Sequence, residues 1–440
     1  MSAPTTAARR TPFPEGTIPV AAALLVAGIA TFAFFRVGKS ALGGDEEFAP
    51  ISALWFATFS LAPGFFLPLE QELGRALSHR RAMGQGGQPV LRKLATLGAL
   101  LGGIVLVVIL VASPVITNTY FDGDWYMLLA LAVAFLAYAP AHLSRGVCSG
   151  TGRFRSYAIV MGTDGVVRIV LCVLLAAIGV ETAGPYGFAV ALAPLVGVGI
   201  VSARGSLRVD PGPPASWDEV TPNLGWLLLG SVFAAGLLNA GVVAASLLAE
   251  DNEDALVSRF SYGVLLARVP LFMFQAVQAA LLPRLAQLAA RGDLTEFRNG
   301  LRRLMKVVLT VGVIGTVGAL AVGPIVIERV YDAELSGRTL AMLALSSACY
   351  MVALSCAQAV IALKGHAMVA LGWSIGFGTF CVVTWLAGDE LFRRIELGLV
   401  ASSLAAMTTF ALALRNRLNA GVAPDRGSVL EALTDQPLEP

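Results

Sequence analysis

Apolar runs of about twenty residues, parted by short polar connectors, follow one another along this chain with few interruptions. They occupy residues 17–35, 50–69, 94–117, 124–144, 157–179 and 183–202, then 223–248, 260–282, 304–327, 339–362, 367–387 and 396–414. Crossing the hydrocarbon layer takes about 20 apolar helical residues. The pattern therefore predicts an all-α polytopic membrane protein with twelve transmembrane helices. The connection at 203–222, which holds Pro211, Gly212, Pro213 and Pro214, reads as a flexible linker between two six-helix lobes at 17–202 and 223–415. Residues 1–16 form an N-terminal segment, and 416–440 have the composition of a disordered tail.

Composition sharpens this. Hydrophobic residues make up 56% of the chain and charged residues 14%, with a mean hydropathy of +0.75, so no length is left for a large soluble catalytic domain. The net charge of +2 excludes a nucleic-acid partner. Placing the connectors on alternate sides puts 22 Lys and Arg with the two chain ends, and 7 on the opposite side: Arg36, Lys39, Arg259, Arg329, Arg338, Arg393 and Arg394. By the positive-inside rule both termini are expected in the cytoplasm of a bacterial cell, with the chain crossing its plasma membrane many times. The run after Arg9 and Arg10 lacks a small-x-small cleavage site, and the first span is expected to be retained. Cys148, Cys172, Cys349, Cys356 and Cys381 show no CxxC spacing, so neither a metal site nor a disulfide framework is expected.

Two correspondences suggest that the halves are copies. Leu67-Pro68-Leu69-Glu70-Gln71 ends the second run, and Leu282-Pro283-Arg284-Leu285 ends the eighth, with prolines 215 apart. Gly152 after the fourth run and Gly365 after the tenth are 213 apart. Because six is even, both copies enter from the same side, which implies a pseudo-two-fold axis along the membrane normal and a cleft between lobes.

Candidate chemistry lies where charge is costly. Asp164 and Arg168 share one face of the fifth helix, and Arg168 is about 17 Å along it. Arg268 is about 12 Å into the eighth helix, with Gln275 and Gln278 further on. A central Arg costs roughly 3 kcal/mol on insertion scales, so it is expected to face a partner or a wet cavity. These five residues are the candidate substrate-binding set, for an anion that a guanidinium fork suits. A local ion pair with Asp164, or bonds from Arg268 to backbone beside Pro270, is the competing structural role. Pro63, Gly64, Pro140, Pro194 and Pro270 interrupt helices where alternating access needs bending, and are the candidate hinges. His79, His142 and His366 sit near helix ends, and none is assigned to a metal or a proton relay. Asp45, Glu46 and Glu47 read as a solvated turn after the first helix, so no catalytic residue is expected.

The motifs carry a resemblance. Leu42-Gly43-Gly44-Asp45-Glu46-Glu47-Phe48 and Leu67-Pro68-Leu69-Glu70-Gln71-Glu72 with Arg75 resemble the polysaccharide-transport branch of the multidrug/oligosaccharidyl-lipid/polysaccharide flippase superfamily. So do Arg145-Gly146-Val147-Cys148-Ser149-Gly150-Thr151-Gly152-Arg153-Phe154 and Arg268-Val269-Pro270 through Leu282-Pro283. Phe48-Ala49 stands where that family has Tyr-Gly, and the two extra helices of a lipid II flippase are lacking. The resemblance implies a MATE-like fold and a non-enzymatic exporter of polyprenyl-pyrophosphate-linked oligosaccharide, with Arg168 and Arg268 on the pyrophosphate. It implies membrane lipids, a polysaccharide polymerase and glycosyltransferases as partners. No cofactor is expected, and the coupling ion, H+ or Na+, stays open, as do the glycan and the oligomeric state. A multidrug antiporter of the same fold, a non-transporting scaffold and a membrane glycosyltransferase are the competing readings.

Overall fold

A computed structural model describes residues 17–220, 224–250, 253–271, 274, 293–363 and 365–420, and these are helical almost throughout. The long helices are α1 (Thr17–Leu42), α2 (Asp45–Ala82), α3 (Gln88–Val111), α4 (Trp125–Gly150), α5 (Phe154–Ala177) and α6 (Ala183–Ala203), then α7 (Leu224–Leu248), α8 (Asp254–Ala267), α9 (Leu294–Ala321), α10 (Gly337–Ala362), α11 (His366–Leu386) and α12 (Leu391–Ala420). Eleven helices among the described residues are long and apolar enough to cross a membrane. The exception is α8, described as a helix for only 14 residues.

Helix pairing follows one scheme in both halves. In the first, α1 packs on α5, α2 and α3 on α4, and α6 on both α4 and α5. Moving each label on by six gives the second set: α7 on α11, α8 and α9 on α10, and α12 on both α10 and α11. Low burial is shared by one equivalent pair of helices. In α3 and α9 only 28% and 17% of the span is buried, and their outward faces carry Val107, Val108 and Leu110, and Val313, Ile314 and Val317. Apolar side chains with no protein to cover them suit lipid. The halves meet chiefly where α2 packs along α7 and α8. At Gly64 a Cβ would come within 3.0 Å of the Val232 backbone, and the Ser231 hydroxyl donates to the Pro63 carbonyl at 3.3 Å. Gly64 thus has a packing reason beyond any hinge.

Several expectations need correction. The acidic trio is no solvated turn: α2 begins at Asp45, its three carboxylates complement the helix N-terminus, and the Asp45 side chain is only 9% exposed. Helix α9 starts ten residues before the apolar run and stops at Val322, where Pro324 opens a separate short helix, Gly323–Tyr331. Helix α12 continues through residues 416–420, which were expected in the tail. Prolines 63, 140 and 194 lie inside unbroken helices, whereas α8 breaks at Arg268, two residues before Pro270. Pro270 has no N–H to continue the ladder. The glycine correspondence is not conformational, since Gly152 has φ +75° and Gly365 φ −93°. Its companion Pro283 lies outside the described residues, as do Gln275 and Gln278.

The linker is docked, not free. Arg80, 3% exposed, donates to the Pro213 and Pro214 carbonyls at 2.7 and 3.2 Å and forks onto Glu219 at 2.6 and 2.9 Å. Lys93 lies 4.3 Å from the Trp217 ring. The hydrogen bonds from Arg80 hold the Glu219 carboxyl below its ordinary pKa. A depressed carboxyl stabilises the docked linker above its unfolded pKa and loses that contribution as pH falls through the folded value. Protease cutting within residues 205–216 is therefore expected to rise below about pH 4, and Glu219→Gln to remove that pH dependence.

Candidate functional site

Arg168 and Arg268 are both buried, 3% and 7% exposed, yet their surroundings differ. Arg168 has a counter-ion: its Nη2 donates to Asp164 Oδ1 at 2.6 Å, one turn away, and to the Tyr138 hydroxyl at 3.3 Å. Tyr138 donates in turn to Asp164 Oδ2 at 3.2 Å. The guanidinium stacks 4.4 Å from Trp55 and 4.9 Å from Phe59, both on α2. Such a buried ion pair depends on both its members, because removing one partner of a buried pair costs about 3–5 kcal/mol. Asp164→Ala is expected to lower the thermal stability of the purified protein by about that amount, and Asp164→Leu combined with Arg168→Met to restore most of it.

Arg268 has no carboxylate partner among the described residues. Its Nη2 donates to the Leu238 carbonyl at 2.6 Å and to Asn239 Oδ1 at 2.8 Å, both halfway along α7. The α8 break makes this reach possible, since Arg268 itself is the residue that leaves the helix. Its other side borders a cavity of about 30 Å³, room for one or two waters, whose polar lining is Ser346, Ser347, Tyr350 and Ser403. Asn239, on a near-continuous apolar helix, also donates to the Phe59 carbonyl at 3.2 Å and so joins α7 to α2.

The two guanidiniums do not share one open hollow. Helix α2 runs between them, presenting Trp55 and Phe59 to Arg168 and Phe56, at 5.2 Å, to Arg268. The small cavity beside Arg268 is lined by α7, α8, α10 and α12, and Arg168 is not part of its lining. Spacing along each helix gave the depth of both arginines, while the aromatic ladder separating them lies on a third helix that neither spacing reports.

Two polar clusters escaped sequence reading. At the end of the bundle opposite Thr17 and Ala420, Asp45 ties the lobes together. Its carboxylate takes Lys39 Nζ at 2.8 Å, Arg259 Nε at 3.3 Å and the Tyr262 hydroxyl at 2.9 Å, while Ser258 donates to its carbonyl at 2.6 Å. Lys39 also donates to the Tyr331 carbonyl, Arg36 pairs with Asp332 at 3.1 Å, and Tyr262 stacks on Tyr331 at 4.4 Å. We call this group the latch. Near the other end, Glu70 accepts from Arg145 and Tyr157 at 2.9 Å each and contacts His142 Nδ1 at 2.9 Å. His142 is 2% exposed and belongs to a buried ion cluster, not to a helix end. Glycines allow that cluster: a Cβ on Gly146 would sit 2.9 Å from the Glu70 carbonyl. The available signal was pairing of motifs, since Glu70 and Arg145 come from two of the stretches singled out. No group of three or more metal-ligating side chains occurs among the described residues.

Among comparisons with known proteins, the solved structures bear on the fold. No family model matches the chain. An uncharacterised protein of Mycobacterium tuberculosis (strain H37Rv) is 26% identical over 288 residues, 62% of this chain and 63% of the relative. An uncharacterised protein of Mycobacterium bovis is 24% identical over 282 residues, 61% and 62%. The chain thus matches less than two thirds of the length of these relatives. Among solved structures, the inward-facing conformation of a multidrug resistance MATE family transporter of the MOP superfamily superposes with a TM-score of 0.69 at 12% identity, over 91% of this chain and 98% of that one. The outward-facing conformation of such a transporter gives 0.67 at 12% identity, over 92% and 96%. A MATE transporter of Vibrio cholerae in the bent form gives 0.60 at 16% identity, over 92% and 99%. The architecture is MATE-like: two six-helix lobes in one helical membrane protein.

Proposed function

We propose that this chain is a flippase that carries a polyprenyl-pyrophosphate-linked oligosaccharide across the plasma membrane by alternating access. The observation that carries the reading is Arg268, a buried cation with no counter-ion among the described residues, beside a hydroxyl-lined cavity at mid-helix. Such a charge is expensive in a bilayer and persists where function uses it. It attracts phosphate oxygens and repels cationic drugs, which favours a lipid-linked anion over a multidrug cargo.

With the chain ends in the cytoplasm, as the charge bias implies, the latch lies on the outer side and closes it. The headgroup enters from the cytoplasm while its polyprenyl tail stays in lipid. Helix α2 separates Arg168 from Arg268 here, so both cations reach one pyrophosphate only after the lobes shift. Asp164 is neutralised by Arg168 in this state, and coupling to H+ or Na+ through it requires that pair to part first. The delivered glycan then passes to a polysaccharide polymerase or glycosyltransferases outside.

Depletion of the protein is expected to trap lipid-linked oligosaccharide in the inner leaflet, measured by its inaccessibility to an impermeant lectin in intact cells. Unchanged exposure on depletion contradicts the reading. A scaffold differs in one respect: Arg168→Ala with Arg268→Ala would leave its partner binding intact and export unaffected.

A further inference from the structure

A second cavity, about 320 Å³, opens between the lobes beside the latch. Its polar lining is unusual in origin. After α3 the chain makes a π-helical turn, Ile116–Tyr120, and then places Asp122 at φ 48°, in the left-handed region. Both are costly local conformations that persist at functional sites more often than elsewhere. Together they turn Asn118, Thr119 and Asp122 into the cavity from the N-lobe, while Ser246 and Glu250 enter from the end of α7 in the C-lobe. Tyr120 forms the floor, its hydroxyl donating to the Ala53 carbonyl at 2.8 Å. Asn118, Thr119, Asp122 and Glu250 are exposed, so their polar atoms meet a ligand without first breaking a core.

We infer that this cavity is a second binding site, taking the hydroxyl-rich sugar end of the substrate; the inference rests on the flippase reading for the other end. The chemistry of the two sites is complementary. Arg268 offers a cation and suits phosphate. The outer cavity offers an amide, two hydroxyls and two carboxylates, which repel phosphate but accept from sugar O–H groups, with an aromatic residue beneath them. Their separation fits one molecule. Arg268 is bonded at Leu238 and the cavity begins at Ser246, eight residues or about 12 Å further along the same helix. A phosphate held at the first point leaves the following sugar units at the second. The site thus binds the glycan on the outer side and favours its leaving the pyrophosphate position in that direction.

The test uses the full-length protein in lipid nanodiscs and, as probe, the mixture of oligosaccharides released by mild acid from the lipid-linked pool of the cells that make it. Equilibrium dialysis is expected to show saturable binding, unaffected by inorganic pyrophosphate. Ser246→Trp, which fills the cavity, weakens it at least tenfold, and so does the rim double variant Asn118→Ala with Asp122→Asn, which touches no buried contact. Arg268→Gln leaves it unchanged. The proposal is overturned by absence of saccharide binding, by binding that survives the rim variant, or by tetraphenylphosphonium displacing the sugars. Should export persist in Arg268→Gln cells while the binding results stand, the flippase reading fails and the sugar site does not.

Discussion

Arg268→Gln is expected to abolish export while raising the thermal stability of the protein. The two effects have one cause. In the resting state the guanidinium is desolvated, held by a carbonyl, an amide oxygen and the Phe56 ring, without an opposite charge among the described residues. Glutamine keeps a polar amide at the position and removes the buried charge, so the folded state gains. Transport loses the fork on phosphate. Two charge-assisted hydrogen bonds at about 1.5–3 kcal/mol each correspond to a drop of roughly 10²–10⁴-fold. Arg268→Lys keeps the charge without the fork and is expected to fall between, near a tenfold loss. A residue with a structural role only would show the opposite sign, losing stability together with export. Export is read by glycan exposure in complemented cells, and stability by thermal unfolding in detergent.

Asp45→Asn is expected to open the outer side. One carboxylate there takes Lys39, Arg259 and Tyr262, and three of the bonded groups, Arg259, Tyr262 and Ser258, belong to the other lobe. Neutralising it weakens the two carboxylate contacts that cross between the lobes, those to Arg259 and Tyr262, for about 2–4 kcal/mol in the balance between latched and open states, or roughly 30- to 1000-fold in population. Ser258, fully buried in the latched state, reports this when replaced by cysteine. An impermeant maleimide is expected to label Ser258→Cys slowly with Asp45 present and rapidly with Asp45→Asn. Equal labelling in both backgrounds would show that the carboxylate does not hold the lobes together.

Much of the architecture was legible because the membrane imposes it. A helix must satisfy its own backbone in lipid, so run length alone gave the spans, and an even count gave two lobes of like orientation. Boundaries went wrong where polar residues extend a helix beyond the hydrocarbon. Hydropathy has no signal for Asp45–Pro50 or for the long polar end of α2, which nonetheless continue as helix because their carboxylates and basic residues suit its two ends. The site was half legible. Burial of Arg168 and Arg268 followed from position, and pairing of Arg168 with Asp164 from the four-residue spacing. Separation of the arginines by Trp55, Phe56 and Phe59 did not, because it depends on aromatic side chains of α2 reaching Arg168 on one side and Arg268 on the other. The latch was hidden for the same reason: Lys39, Asp45, Arg259 and Asp332 are spread over some 290 residues, and short-range patterns carry no information about which ends meet.

The most direct measurement of the central claim is transbilayer movement of polyprenyl-pyrophosphate oligosaccharide in proteoliposomes, followed by its exposure to a lectin added outside. Wild-type protein is predicted to move the lipid well above the rate of empty liposomes, and Arg268→Gln to reduce it to that background. Movement at equal rates with and without the Arg268 guanidinium would contradict the account.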